Sequence, residues 1–165
     1  MMNTLGHTAN YWIDKLQLKE HPEGGYYNEV YRSEKIINLP EYKGPRNACT
    51  LIYYLLKGSQ YSSFHKINSD EIWHFYAGSS LSLYILNSNL KVIKLGKNMD
   101  KGEIFHIVIK SNSWFAASVD DPASYCLVGC VVSPGFDYHD WEIGDKDILC
   151  EKYPQHKSII MKLSK

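Results

Sequence analysis

Short runs of apolar and aromatic residues, separated by clusters of turn-forming residues, dominate the pattern of this chain. Residues 50–56 form a continuous apolar run, which is typical of a strand buried on both faces. Residues 26–32 are rich in strand-forming tyrosine. Further strands are predicted near residues 61–67, 70–76, 80–86, 90–95, 104–109, 113–119 and 124–132. Short strands at such regular spacing predict an antiparallel sandwich or barrel.

The pattern becomes helical at both ends of the chain. Within residues 9–18, Trp12, Ile13 and Leu16 fall on one face at helical spacing, and residues 21–25 then break the helix. A chain of 165 residues is long enough for one sizeable core. We therefore predict a single domain over 1–165, with an N-terminal helix at about 9–18, a barrel at about 25–142 and a helical tail at about 144–165.

Composition narrows the classes of function. Apolar residues make up 44% and charged residues 22% of the chain, which excludes a disordered protein. The formal net charge is zero and no block of Lys or Arg occurs, so we expect no nucleic-acid partner. No apolar run is long enough to span a bilayer and no signal-peptide pattern occurs, so we expect no membrane partner. The four cysteines form no CxxC pair, which predicts free thiols in a reducing cytoplasm.

The most informative segment is residues 63–78, an alternating aromatic and apolar run that ends on a glycine. Glu71 lies six residues after His65, and Gly78 lies seven residues after Glu71. This spacing resembles the first barrel motif of cupins, which usually holds a metal through two histidines and a glutamate. The segment therefore predicts a pocket inside a barrel, with His65 and Glu71 in it.

Other segments, in the same order along the chain, resemble one family. They are residues 21–33, 50–56, 114–117 and 129–142. Together with residues 63–78 they are similar to the uncharacterised cupin family (cupin_5 type) of the RmlC-like cupin superfamily, across nearly the whole chain. The resemblance implies a mostly β fold, the double-stranded β-helix or jelly-roll barrel, with short terminal helices. It also implies a homodimer, and the aromatic-rich strand at 26–32 would otherwise present an unpaired edge.

Two positions depart from the metal-binding pattern that the resemblance implies. Ile67 stands where a second histidine is expected, and no histidine occurs near Phe115, where the second cupin motif would bring another. His65 and Glu71 remain as the ligands if a metal binds, and two ligands hold a transition metal weakly. His74 lies three residues after Glu71, which on a strand places it on the opposite face. We therefore expect no cofactor.

Strand alternation predicts the walls of the pocket. Glu71, Trp73 and Phe75 share one face, which would give a small-molecule site with aromatic walls, although plain core packing is the alternative for both aromatics. Metal-free cupin epimerases of sugar nucleotides use a histidine in this region to take a proton α to a carbonyl, and the resemblance gives this role to His65. A tyrosine would return the proton. Glu71, the other predicted catalytic residue, would orient the imidazole or bind a substrate hydroxyl.

The remaining predicted substrate-binding residues lie on other segments: Tyr27, Glu29, Arg32, Tyr53, Trp114, Phe136 and Asp137. Alternation puts Glu29 and Tyr31 on one face and Arg32 on the other. Arg32 suits a structural ion pair, a dimer contact, or recognition of a substrate carboxylate or phosphate. Phe136 and Asp137 follow a strand at the expected barrel rim, either as a turn with an anchoring aromatic or as part of the pocket mouth.

Three functions are consistent with the sequence. The first is a small-molecule-binding cupin that acts as a metal-independent isomerase or epimerase on a sugar or sugar-nucleotide-like metabolite. The second is a metal-dependent cupin isomerase or oxygenase with a reduced ligand set. The third is a non-enzymatic small-molecule binder or sensor that uses the same pocket.

Overall fold

The computed structural model describes residues 6–165, and antiparallel strands are their commonest secondary structure. Three short α-helices flank the strands: α1 (Ala9–Lys15), α2 (Lys146–Lys152) and α3 (Lys157–Lys162). The strands, in chain order, are β1 (Lys19–Glu20), β2 (Tyr26–Arg32), β3 (Ile36–Ile37), β4 (Arg46–Asn47), β5 (Thr50–Lys57), β6 (Tyr61–Ile67), β7 (Asp70–Gly78), β8 (Leu81–Leu86), β9 (Leu90–Leu95), β10 (His106–Ile109), β11 (Trp114–Val119), β12 (Tyr125–Ser133) and β13 (Trp141–Ile143).

Two sheets enclose the main core. One has six strands in the order β1-β2-β5-β12-β7-β10, and the other has five in the order β13-β6-β11-β8-β9. The central apolar cluster draws on both sheets, with Tyr54, Trp73 and Cys130 from the first and Leu83 and Phe115 from the second. The prediction of a mostly β cupin barrel with short terminal helices is confirmed.

The helices cover the outer faces of the two sheets. Helix α1 packs Trp12, Ile13 and Leu16 against Leu55 and Leu127 on the six-stranded sheet. It ends three residues before the predicted limit of 18, and Gln17 takes a left-handed conformation with φ of 53°. Helices α2 and α3 pack on the five-stranded sheet. Across residues 6–165, every helix is too short or too polar to cross a membrane.

A β-bulge in β2 changes which side chains face the barrel interior. Glu29 pairs with Ile52 and Tyr31 pairs with Leu51, so Val30 is an extra residue in the ladder. The extra residue shifts the alternation by one position. Arg32 therefore lies on the same face as Glu29, while the Tyr31 side chain is 52% exposed. The prediction from strict alternation, which separated Arg32 from Glu29, was wrong for this reason.

A second register shift lies in β7. Val128 pairs with Phe75 and Leu127 pairs with Ala77, so Tyr76 is the extra residue. Phe75 remains packed against the main core, whereas Tyr76 lies on the outer face, where its ring contacts Tyr53 edge to face. The two bulges explain why the inner face of this sheet departs from simple two-residue periodicity.

Candidate functional site

A cavity of about 310 Å³ opens in the barrel, a volume that suits a small molecule. The inner face of the six-stranded sheet forms most of its wall, and strand β6 of the other sheet contributes His65 and Ile67. The turn before β2 and the segment after β12 complete the lining. The lining residues from these parts are His21, Glu23, Tyr27, Glu29, Arg32, Thr50, Ile52, Tyr54, His65, Ile67, Glu71, Trp73, Cys130, Val132, Phe136, Asp137, Tyr138 and His139.

Glu23 is a buried carboxylate in the turn between α1 and β2. Its Oε2 accepts a hydrogen bond of 3.0 Å from the Ser62 hydroxyl, and its Oε1 accepts one of 2.6 Å from the Trp141 indole. Its Oε1 also lies 3.4 Å from Nε2 of His65. Because a buried carboxylate is costly unless it is hydrogen-bonded, these contacts account for its presence inside the fold. Gly24 follows with φ of 116°, and this places the turn against β6.

The imidazole of His65 is held from both sides. Its Nδ1 lies 2.7 Å from the carbonyl oxygen of Ser63. A carbonyl only accepts, so Nδ1 carries a hydrogen, and the remaining nitrogen, Nε2, faces Glu23. The ring packs on Phe115 with 4.0 Å between centroids, and the residue is only 2% exposed. His65 and Glu23 therefore form a histidine–carboxylate pair in which a proton on Nε2 would be stabilised.

Glu71 is the second buried carboxyl of the cavity. Burial raises its pKa to about 8, and the nearby charge of Glu23 adds to the rise. The indole of Trp73 and the thiol of Cys130 lie near enough to lower this pKa. The Trp73 N–H nevertheless falls short of hydrogen-bond geometry, and within the described part of the chain it has no partner. At neutral pH Glu71 is therefore mainly the uncharged acid.

Two further side chains of the wall are held in their neutral forms. Burial is the largest cause that lowers the pKa of His21, whose Nδ1 accepts a hydrogen bond of 3.2 Å from the Glu23 backbone N–H. Burial also raises the pKa of Tyr54 well above its usual range, and its hydroxyl donates to the Gly24 carbonyl at 2.7 Å. Both groups support the turn that carries Glu23.

Arg32 and Glu29 form a bidentate ion pair at the cavity wall. Nε and Nη2 of Arg32 donate to the two carboxylate oxygens of Glu29 at 2.8 and 2.7 Å. Nη1 donates to the Asn47 side chain at 2.9 Å and to the Phe136 carbonyl at 3.1 Å. The pair raises the pKa of Arg32 through its hydrogen bonds to Glu29. Of the roles open at the sequence level, this geometry favours a structural ion pair for Arg32.

The segment after β12 forms the rest of the mouth. Asp137 accepts hydrogen bonds from the backbone N–H of His139 at 2.8 Å and from its ring Nδ1 at 2.6 Å. The hydrogen bond from that backbone N–H is the main cause that lowers the pKa of Asp137. Arg46 anchors the segment through a buried ion pair with Asp140, with Nε 2.6 Å from Oδ2. Phe136 and Asp137 therefore line the cavity as part of a fixed turn.

Most of the residues selected from the sequence come together in this cavity, but three do not. Tyr53 lies on the outer face of β5, since the alternation places its neighbour Tyr54 inside. Trp114 lies outside in the same way and packs with α2 and α3, while Phe115 faces the barrel interior. Phe75 faces inward but packs into the core beyond the cavity lining.

Sequence reasoning missed several residues of the lining. Glu23 makes the most side-chain hydrogen bonds among them. Its segment, residues 21–25, indicates from sequence only a break in the helix and a resemblance to the family. Alternation along β5 could have found Tyr54, because it lies two residues from Ile52 on the inward face. His21, Tyr138 and His139 lie in turns, where no periodicity indicates the direction of a side chain.

The cavity residues do not fit the metal centre that the fold suggests. Nε2 of His65 faces Glu23, and Ile67 and Phe115 supply no donor atoms. Among residues 6–165, no group of three His, Cys, Asp or Glu side chains is arranged to hold a metal ion. A transition metal needs several converging nitrogen, oxygen or sulfur donors, which His65 and Glu71 alone do not provide.

Comparisons with known proteins agree with this architecture. A protein from Leishmania major superposes with a TM-score of 0.90 at 36% identity and covers 96% of this chain and 99% of its own. A protein from Shewanella oneidensis gives 0.89 at 35% identity, over 96% and 98%. Oxalate decarboxylase from Bacillus subtilis, with a TM-score of 0.57 at 15% identity over 87% of this chain and 36% of its own, shares only the fold.

The sequence comparisons identify the family. An uncharacterised protein of Saccharomyces cerevisiae is 33% identical in an alignment 144 residues long, which covers 78% of this chain and 71% of the yeast protein. The model of the family Cupin_5, described as cupin superfamily (DUF985), matches residues 10–144. The chain therefore belongs to the Cupin_5 family of the cupin superfamily.

Proposed function

We propose that this cupin binds a small polar metabolite, a sugar or a sugar-like hydroxycarbonyl compound, and isomerises or epimerises it by metal-independent proton transfer. One observation carries the proposal. A histidine–carboxylate pair, His65 with Glu23, and an uncharged carboxyl, Glu71, line the same cavity. A base and an acid that face the same cavity are the arrangement that acid–base catalysis needs.

His65 is the base in this mechanism. Its Nε2 takes the proton from the carbon next to a carbonyl, and the C–H electron pair moves onto the carbonyl to form an enolate. The Glu23 carboxylate, whose Oε1 lies 3.4 Å from the same nitrogen, would stabilise the positive charge of the imidazolium that results. The proton that returns to carbon comes back from His65 or, on the opposite face, from an acid such as Glu71, Tyr27 or Tyr138, all of which line the cavity.

A non-enzymatic binder is the second candidate. Both ring nitrogens of His65 already face protein groups, the Ser63 carbonyl and Glu23, which also suits a purely structural histidine. In that case the cavity would bind the same ligand without exchanging its protons.

Hydrogen exchange in heavy water separates the two candidates. Aldoses, ketoses and nucleotide sugars are first screened by thermal shift, because a ligand at about 100 times its dissociation constant adds roughly 2.7 kcal/mol of stability. The stabilising compounds are then incubated in D₂O, and deuterium at the carbon next to the carbonyl is measured by NMR. We expect deuterium incorporation with wild type and a loss of roughly 10²–10⁴-fold in its rate for His65→Ala.

His74→Ala is the matched control, because His74 lies on the same sheet but outside the cavity lining. It should retain the wild-type exchange rate. Stabilising ligands that gain no deuterium and are not turned over would support the binder instead. Full exchange in His65→Ala would end the proton-transfer proposal.

A further inference from the structure

Trp73 carries an unsatisfied hydrogen-bond donor at the cavity wall. The residue is 2% exposed and lines the cavity, and within residues 6–165 its indole N–H has no hydrogen-bond partner. A buried donor without an acceptor costs about 1–3 kcal/mol of stability. Native proteins therefore rarely leave such a donor unpaired unless a water or a ligand supplies the acceptor. The N–H itself is closed off from solvent, so an acceptor atom from a molecule in the cavity would satisfy it once the ring turns toward that molecule.

Glu71 supplies a second polar group beside this donor. It lies two residues before Trp73 on the same face of β7, it lines the cavity, and it is 7% exposed. Its raised pKa keeps it mainly as the acid at neutral pH, so that its O–H can also donate. Two donors on one wall favour an acceptor oxygen and disfavour a ligand ammonium group.

The charges around the cavity argue against an anionic ligand. Arg32 is the one Lys or Arg among the described lining residues, and Glu29, Asn47 and the Phe136 carbonyl use four of its five N–H donors. The charge of Arg32 is already balanced by Glu29, and the Glu23 carboxylate would repel a phosphate or carboxylate. Proteins normally bind such anions through free arginine donors or a helix N-terminus. An uncharged ligand meets no such penalty.

We infer that the Trp73–Glu71 wall binds the carbonyl or hydroxyl oxygen of an uncharged small molecule, so that the ligand is a neutral sugar-like compound without phosphate or carboxylate. This inference narrows the class of substrate that the proposed enzyme would take. Binding of the neutral ligand does not depend on the proposed function, whereas the role of the two donors in the reaction does. In that reaction, the two donors would hold the oxygen on which negative charge develops when His65 takes the proton. Return of the proton to carbon would then fall to His65, Tyr27 or Tyr138.

Indole signals in a ¹⁵N–¹H NMR spectrum test the binding step directly. The chain has four tryptophans, and Trp73→Phe assigns the Trp73 signal by its disappearance. The probes are acetamide and dihydroxyacetone, which are neutral acceptors, and acetate, which has the shape of acetamide but carries a charge. We expect both neutral probes to shift the Trp73 signal at pH 6.5 at roughly 100 mM, a concentration that suits such small fragments. Acetate should shift it at least several-fold less.

Glu71→Gln and Glu71→Leu refine the test. Glutamine keeps an uncharged donor in place and should retain the response to acetamide, whereas leucine should weaken the response several-fold. The Trp12 signal is the internal control, because the Trp12 N–H is bonded to Tyr125 under helix α1, away from the cavity, and should not respond. An acetate effect equal to that of acetamide, or a Trp73 signal that no neutral probe moves, would overturn the inference.

The inference and the proposed function fail in different experiments. If deuterium exchange depends on His65 but neutral probes do not shift the Trp73 signal, the proposed enzyme activity is supported and this binding mode is contradicted. Neutral-probe binding at Trp73 without any exchange would leave the binding mode in place and support the binder.

Discussion

Glu23 and Glu71 are two buried carboxyls of one cavity, and the groups that surround them differ. Glu23 accepts hydrogen bonds from Ser62 and Trp141, and its carboxylate faces the imidazole of His65. Hydrogen bonds donated to a carboxylate stabilise its charged form. Burial is the largest cause of the raised pKa of Glu71, and the nearby charge of Glu23 adds to the rise. The same residue type therefore provides a group that accepts hydrogen bonds at one point of the wall and an acid at another.

The raised pKa of Glu71 makes the stability of the protein depend on pH. In the unfolded chain Glu71 loses its proton near pH 4.5, whereas in the folded protein it keeps the proton until about pH 8. Between these values the folded state binds more protons, so raising the pH lowers the free energy of unfolding. This loss is on the order of a few kcal/mol and is complete above about pH 8.

Glu71→Gln should remove this slope. We expect the variant to gain stability relative to wild type between pH 5 and pH 8.5, as measured by urea unfolding at both values. Glu142→Gln is the control, because the Glu142 side chain is 58% exposed and its replacement should not change the slope. Equal pH dependence in wild type and Glu71→Gln would show that Glu71 titrates normally in the folded protein.

At the scale of elements, the turn between α1 and β2 positions the site. Gly24 and Gly25 both have positive φ, and a Cβ on Gly24 would overlap the carbonyl oxygen of Tyr61. The backbone of the turn thus lies directly against β6, the strand that carries Ser62 and His65. A side chain at position 24 would separate Glu23 from both partners.

Gly24→Ala should therefore destabilise the protein by more than the cost of placing alanine at a positive φ. We expect a loss of roughly 2–4 kcal/mol, because the strained φ and the overlap with backbone add. Gly102→Ala is the matched control: its φ is 76°, but a Cβ there would meet nothing within 4 Å. It should lose only about 1 kcal/mol. Similar losses for the two variants in chemical denaturation would contradict a tight packing of this turn on β6.

The elements also show where sequence reasoning works and where it stops. Alternation along β7 correctly put Glu71 and Trp73 on one face, because these positions precede the bulge at Tyr76. It failed for Arg32, because an extra residue in β2 reverses the side on which later residues lie. Alternation could not identify Glu23 as a site residue, because the contacts of Glu23 join residues far apart in sequence and no local pattern indicates them.

At the scale of the molecule, the edge of the six-stranded sheet is incomplete. Strand β1 pairs only with Tyr26 and Tyr27, so within the described residues the outer edge of β2 from residue 28 onward has no partner strand. Val30 and Tyr31 are 43% and 52% exposed beside that edge. Unpaired edges with exposed apolar residues favour association, and a second copy of the same edge can pair with it across a two-fold axis.

We therefore propose a homodimer through this edge. Light scattering at micromolar concentration should give twice the chain mass of 19.0 kDa. Tyr31→Lys should shift the protein toward the monomer, because a lysine at a strand edge opposes pairing. Ile148→Lys is the control, since Ile148 is 64% exposed on α2, away from the edge. A wild-type mass near 19.0 kDa would contradict the proposal.

The contacts of Glu23 also bear on the order in which the molecule folds. Its hydrogen bonds reach Ser62 and Trp141, which lie 39 and 118 residues further along the chain. Contacts of such long sequence separation require large loops to close, and they form slowly compared with local structure. Because Trp141 lies 118 residues beyond Glu23, we expect the burial of this carboxylate to be completed late in folding, when β13 pairs with β6.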